Sequence, residues 1–243
     1  MTDSLASLIA QLQDAQPNVR SKAALGLGQL GDPQAIEALI GTLCHDPELN
    51  VQEDATWALV RIGAAAVEPL IHALSDPSAA ARHNAAHTLG KIGDGRAVDG
   101  LIGALRDGDA PVRLKAAYAL GQIGDGRAAQ GLVDLLADPD LNVRWMAVEV
   151  LERLKAVEAV LPALGHAEAD VREQAAAILG LIGDRRAAEG LIRAARDETW
   201  EVRVAAIQAL GEIGDQDALL SLGDLRDDPD ARVRAMVTKM LNR

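Results

Sequence analysis

One pattern recurs eight times along the 243 residues: a Val-Arg-like pair, an alanine-rich stretch, then Leu-Gly-x-Ile-Gly-Asp. Its anchors are Arg20, Gln52, Arg82, Arg113, Arg144, Arg172, Arg203 and Arg234, separated by 32, 30, 31, 31, 28, 31 and 31 residues. A period near 31 without strand patterning describes helix pairs that bury their apolar faces only by stacking on their neighbours. The expected fold is all-α, a right-handed α-solenoid of about eight helix-pair repeats forming one unit over 1–243. The expected repeats are approximately 1–31, 32–63, 64–93, 94–124, 125–154, 155–183, 184–214 and 215–243.

The stretch Asp94 to Asp125 shows how a repeat is expected to be built. Gly93 suits the left-handed residue after a helix end, and Asp94 suits the cap of the next helix. Helix A is expected from about Arg96 to Arg106, with Val98, Leu101, Ile102 and Leu105 on one face. Asp107-Gly108-Asp109 turns the chain into helix B, from about Pro111 to Ile123. Other repeats carry Asp46-Pro47, Asp76-Pro77, Asp138-Pro139 and Asp228-Pro229 at this turn, read as an N-cap followed by proline at the first helical position. Ala23-Ala24, Ala85-Ala86 and Ala116-Ala117 in helix B, and Gly100, Gly131 and Gly190 in helix A, mark close helix approach.

The repeated arginine is read as structural. Asp32, Asp94, Asp125, Asp184 and Asp215 in the inter-repeat turns offer it carboxylates, giving an Asp–Arg ladder along the stack. Two departures stand out. The 28-residue step falls near Leu154-Lys155-Ala156, where the Gly-Asp turn is missing, and Gln52 with Ala64 makes the second repeat irregular. A bend or change of twist is expected near Trp145.

Net charge is −12, from 36 acidic and 24 basic residues, which argues against a nucleic-acid partner held by phosphate neutralisation. No apolar run reaches the roughly 18 residues of a membrane span. Met1-Thr2-Asp3-Ser4 lacks the basic start of a signal peptide, so a cytoplasmic location without membrane association is expected. Cys44, the sole cysteine, excludes an internal disulfide and is expected at the end of a helix A, away from the B-helix face. Met236, Val237, Met240 and Leu241 include residues that would face a further repeat, with Thr238, Lys239, Asn242 and Arg243 as partial shields. Mostly monomer with weak end-to-end association is expected.

Phrases such as Val112-Arg113-Leu114-Lys115-Ala116-Ala117-Tyr118-Ala119-Leu120-Gly121-Gln122-Ile123-Gly124-Asp125 resemble the short HEAT-like repeats of the phycobilisome-lyase family. The resemblance covers essentially the whole chain. It implies the solenoid fold and a choice of roles: bilin lyase subunit, phycobilisome-associated adaptor or general protein scaffold. It also extends to a di-iron hydroxylase acting on deoxyhypusine, whose metal ligands are His-Glu pairs after the arginine anchor. Here the pairs in that register include Glu53-Asp54, His83-Asn84 and Trp145-Met146, and none is His-Glu, which excludes that activity.

Positions that vary between repeats are free to carry function. Residues one and five places after the anchor share a helix B face, which such solenoids turn to their concave side. These columns hold Glu53, Trp57, His83, His87, Tyr118, Trp145 and Glu149, and the column nine places on adds Arg61 and Lys91. Aromatic rings edged by charge resemble an interface core with a polar rim. These nine residues, in repeats two to five, are the expected partner-binding set. The expected partner is a protein, presented as a helix or an extended segment.

His83 and His87 have a metal-compatible spacing with Glu53 nearby, but the surrounding motif of a metalloenzyme is missing and no metal is expected. His45, His72 and His166 look incidental, and Trp200 is expected to staple the loop before its helix B. No nucleophile–base pair or phosphate loop is present, so no catalytic residue and no cofactor is assigned. A non-enzymatic scaffold is the expected function. The alternative is a bilin lyase or chaperone-like subunit, with the rings and histidines stacking on a linear tetrapyrrole and Arg61 or Lys91 pairing its propionates.

Overall fold

The computed structural model describes residues 4–242. Met1 to Asp3, read above for a leader, and Arg243, read as part of a C-terminal shield, lie outside the described residues. The fold is an all-α solenoid, and the chain divides into two compact units, Met1–Ala128 and Ala129–Arg243.

In the first unit the helix pairs are α1 (Leu5–Gln11) and α2 (Pro17–Leu30), α3 (Ile36–His45) and α4 (Leu49–Ile62), α5 (Val67–Ala73) and α6 (Ala79–Ile92), and α7 (Val98–Ala104) and α8 (Ala110–Ile123). In the second they are α9 (Ala129–Asp134) and α10 (Leu141–Arg153), α11 (Val157–Val160) and α12 (Ala169–Ile182), α13 (Ala188–Ala194) and α14 (Trp200–Ile213), and α15 (Gln216–Leu220) and α16 (Ala231–Leu241). The even-numbered B helices pack side by side, α2 on α4, α4 on α6 and α6 on α8, then α10 on α12, α12 on α14 and α14 on α16.

The repeated Leu-Gly-x-Ile-Gly motif divides its work between buried leucines and close helix contact. Its leucines, Leu27, Leu89, Leu120, Leu179 and Leu210, are fully buried. Its first glycine lets neighbouring B helices touch backbone to backbone. A Cβ on Gly90 would sit 2.9 Å from Ala119 Cα, and one on Gly180 would sit 2.8 Å from Ala209 Cα. The helix A glycines instead make room for side chains of the preceding repeat. A Cβ on Gly100 would meet Ile71 at 3.1 Å, and one on Gly190 would meet Leu161 at 2.9 Å.

Helix A is shorter than its pattern predicts. In the fourth repeat a 3-10 turn, Gly95–Ala97, precedes α7, which ends at Ala104. Asp94 caps this turn by accepting the Arg96 N–H at 2.9 Å. The Asp-Pro turns also differ from expectation. The N-caps of α4, α6, α10 and α16 are Glu48, Ser78, Asp140 and Asp230, so the prolines stand in the loop before the helix. The loop aspartate instead accepts the N–H two residues on, as Asp46 does from Glu48 at 3.0 Å and Asp107 from Asp109 at 2.9 Å. His166 Nδ1 fills the same role toward the Glu168 N–H at 3.1 Å, so this histidine is structural.

The arginine ladder exists with different carboxylates from those expected. Arg82 donates through Nε and Nη2 to both oxygens of Asp107 at 2.6 and 2.8 Å. Arg20 holds Asp46, and Arg172 holds Asp197, in the same two-bonded way. The partners lie in the loop of the following repeat. They are closer to the anchor in space than the Gly-Asp turns, which cap the opposite helix ends. Each arginine also ties its helix start to its own loop: Arg82 Nη1 donates to the Asp76 and Pro77 carbonyls, and Arg172 Nη1 to those of His166 and Ala167. Gln52 reproduces the second half of this role, its Nε2 reaching the Asp46 carbonyl at 2.6 Å.

The Gly-Asp aspartates have their own arginines. Asp94, Asp125 and Asp184 pair with Arg96, Arg127 and Arg186 two residues on. Arg96 Nη2 then reaches the Ala64 carbonyl, Arg127 Nη2 the Gly95 carbonyl, and Arg186 the Glu158 carboxylate of the preceding repeat. The Gly-Asp-x-Arg spacing that carries this second ladder is visible in the sequence at 93–96, 124–127 and 183–186.

At the short step, α10 ends without the usual glycine. Lys155 takes the left-handed conformation at φ 50°, where Gly93 takes it at φ 74° in the third repeat. At the chain's far end Val237 and Met240 are buried within the last helix pair, while Met236 and Leu241 are half-buried. Of the four apolar residues expected to include ones facing a further repeat, two are therefore buried and two half-buried.

Candidate functional site

Seven of the nine expected site residues line two grooves, one in each unit, and Arg61 and Tyr118 line neither. In the first unit α4, α6 and α8 line a groove of about 580 Å³ that includes Glu53, Trp57, His83, His87 and Lys91 from the expected set, and Lys115 beyond it. Lys115 stands two places after its anchor, between the two columns that share the B-helix face. Trp57 is 40% exposed and lies over Gly28, and the Arg61 guanidinium stands 5.5 Å from the ring centre. Tyr118 is 37% exposed with Lys115 Nζ 5.4 Å from its ring. Both rings therefore present a face while packing through the other.

A hydrogen-bond chain orders this groove. Gln52 holds the Asp46 carbonyl, Asn84 Nδ2 donates to Gln52 Oε1 at 2.9 Å and to the Leu43 carbonyl at 3.0 Å, and His83 Nδ1 meets Asn84 Oδ1 at 3.3 Å. Asn84 Oδ1 can only accept, so His83 carries a proton on Nδ1. Burial pushes His83 below the usual histidine range, against the pull of its bond to Asn84. His87 is pushed down to about 4 by burial and by the neighbouring Lys115, Lys91 and His83. Among the described residues no group of three or more His, Cys, Asp or Glu side chains is placed to hold a metal ion.

The second unit's groove, about 670 Å³, runs between α10 and α12. Leu141, Trp145 and Val148 follow one face of α10, and Ala177 and Leu181 face them from α12. The apolar residues are strongly exposed, Trp145 at 79%, Leu141 at 65% and Leu181 at 54%. Glu149, Glu152, Asp170 and Glu173, with Arg144 and Gln174, supply a polar lining that carries four carboxylates against one guanidinium. Partial burial raises the Glu173 carboxyl, helped by Glu201 and Asp170 nearby. Of this groove only Trp145 and Glu149 were expected. Leu141 and Leu181 escaped because a leucine near a helix end reads as core, although their places relative to the anchor differ from those of the buried leucines.

Trp200 differs from its expected role. It opens α14, and its ring lies under the Arg232 guanidinium of α16 at 3.2 Å, so it braces two B helices. Cys44 is buried at the end of α3, as expected, and burial with the nearby Asp76 pushes its thiol up to about 11. No helix among the described residues is long and apolar enough to cross a membrane.

The stacked pairs, the B-helix packing and the anchor network define a repeat solenoid. The HEAT-repeat family model matches residues 5–68, 67–152, 100–167 and 157–242, and the chain belongs to that family. No curated protein matches it in sequence. Among solved structures, the Escherichia coli protein YibA is 22% identical over 98% of this chain and 92% of its own, with a TM-score of 0.50. The CpcE–CpcF complex of phycocyanin lyase from Nostoc is 22% identical over 99% and 94%, with a TM-score of 0.47. Human deoxyhypusine hydroxylase is 23% identical over 89% and 98%, with a TM-score of 0.41. Identities at this level speak to the fold alone.

Proposed function

We propose that this protein is a non-enzymatic scaffold whose B-helix face receives a protein segment, and that the α10–α12 groove is its principal binding surface. The observation that carries the reading is the exposure of Trp145, Leu141 and Leu181 along one groove. Contiguous large apolar side chains of this kind mark interaction surfaces. The acidic lining selects the partner's chemistry: an amphipathic helix with an apolar stripe for Trp145 and Leu181, and lysine or arginine for Glu149, Glu152, Asp170 and Glu173. Trp57, Tyr118, Arg61, Glu53, Lys91 and the two histidines lie on the B helices of the first unit and are proposed as a separate surface. A lyase reading finds no nucleophile in the groove, since the Cys44 thiol is buried and held protonated.

Titration calorimetry with synthetic amphipathic helices tests this reading. A Leu/Lys peptide should bind, should weaken as salt rises, and should lose about tenfold in affinity with Trp145→Ala, the truncation of an interface anchor. The circular dichroism of Trp145→Ala should match the parent. Equal binding of a Leu/Glu peptide, or unchanged binding by Trp145→Ala, overturns the assignment.

A further inference from the structure

The first unit's groove carries a different chemistry. We propose that it is an oxyanion site, holding a carboxylate or phosphate group between His87, Lys91 and Lys115. The chain has 36 acidic against 24 basic residues, so an ammonium group has many carboxylates within reach on most of this surface. Lys91 and Lys115 nevertheless make no ion pair among the described residues, although both line one groove. Lys115 is half-buried, and its interaction is with the Tyr118 ring. Beside the effect of burial, Lys115 and Lys91 both act to disfavour a charge on His87. Two like charges without a salt-bridge partner, one of them half-buried, favour an anion between them.

The histidine protons suit an acceptor. His87 Nδ1 is buried without a hydrogen-bond partner. A stranded N–H is rarer and costlier than a stranded lone pair, so the proton of the neutral ring belongs on Nε2, as a donor. Two ammonium groups and one imidazole N–H then line the same groove. Opposite them on α4 stand Glu53 and Asp54, with Asp54 already accepting the Ser21 hydroxyl. Trp57 on α4 lines the same groove and offers apolar surface to the body of the ligand. This site is independent of the proposed helix-binding groove, because every residue it uses belongs to the first unit.

The coupling to pH follows from the same arrangement. Burial does most to keep His87 neutral, and an anion between Lys91 and Lys115 offsets the part that their charges add. His87 then protonates at a higher pH and becomes a charged donor, so binding strengthens as pH falls. The titratable groups that line the groove with it are Lys91 and His83 on α6, Lys115 on α8, and Glu53 and Asp54 on α4.

Histidine-ring NMR of the full chain, titrated with inorganic phosphate, with glutarate, and with potassium chloride at matched ionic strength, tests the site. Saturable shifts of His83 and His87 with an added oxyanion are expected, with the His87 midpoint moving up by about one pH unit. The variant Lys91→Gln/Lys115→Gln should bind about tenfold more weakly, and Trp145→Ala should bind as the parent does. Saturation by phosphate alone assigns a phosphate-bearing ligand, and saturation by glutarate alone or by both assigns a carboxylate. Shifts no larger than those with chloride, or undiminished binding by the double variant, overturn the proposal.

Discussion

At the residue scale, the anchor position shows which part of a side chain the fold requires. Arg172 does two jobs: its Nε and Nη2 hold Asp197, and its Nη1 holds the His166 and Ala167 carbonyls. Gln52 does one, reaching only the carbonyl of its own loop and passing a bond to Asn84. Arg172→Ala strands a carboxylate whose side chain is 12% exposed and should lower stability by about 1–3 kcal/mol, whereas Gln52→Ala removes neutral bonds and should cost about 1 kcal/mol. Urea unfolding monitored by circular dichroism gives both values. Equal losses would show that pairing to the next loop contributes nothing beyond the carbonyl bonds.

The element scale is governed by how helices end. Five B helices stop at a glycine in the left-handed conformation, whereas α10 stops with Lys155 in that role. A side chain there crowds the following carbonyl at a cost of about 1–2 kcal/mol, part of which glycine returns as chain entropy on unfolding. Lys155→Gly should therefore stabilise the protein by about 0.5–1 kcal/mol, seen as a higher melting temperature. A lower melting temperature would mean that the lysine side chain contributes more than its backbone costs.

The extent of helix B was legible because its alanine-rich face and terminal glycine bracket it: Pro111 to Ile123 was expected and Ala110–Ile123 is observed. The A helices were less legible, because their first turn is 3-10 and apolar periodicity does not separate that from α-helix. The ladder's carboxylate was not legible either. Asp94 and Asp107 both follow Arg82, and only the offset between stacked pairs decides which one lies beside it. The grooves were half legible. Rings and histidines stand out in a chain with four aromatics, but the leucines and acids of α10 and α12 do not.

For the whole molecule, these networks set the response to acid. Their bonds to Arg96 and Arg186 hold Asp94 and Asp184 down at about 2, below the roughly 3.9 of an unfolded aspartate. The stability they contribute is present above about pH 4 and is lost as pH falls toward 2. His87 adds an earlier phase. Its folded value of about 4 lies below the unfolded 6.5 or so, so its contribution is lost as pH falls from about 6.5 to 4. Melting temperature should decline gently below about pH 6.5 and further below about pH 4, and His87→Gln should shrink the first phase to the share that His83 contributes. A parent profile that is flat down to pH 3 would contradict both assignments.

The reach of the anchor bonds bears on how the protein is made. Arg20 meets Asp46 26 residues later, and Arg82 meets Asp107 25 residues later. Asn84 reaches back 41 residues to Leu43. A chain leaving the ribosome completes each of these links as soon as the next helix pair has emerged. Each pair can therefore settle onto finished structure while synthesis continues, with no distant segment to await.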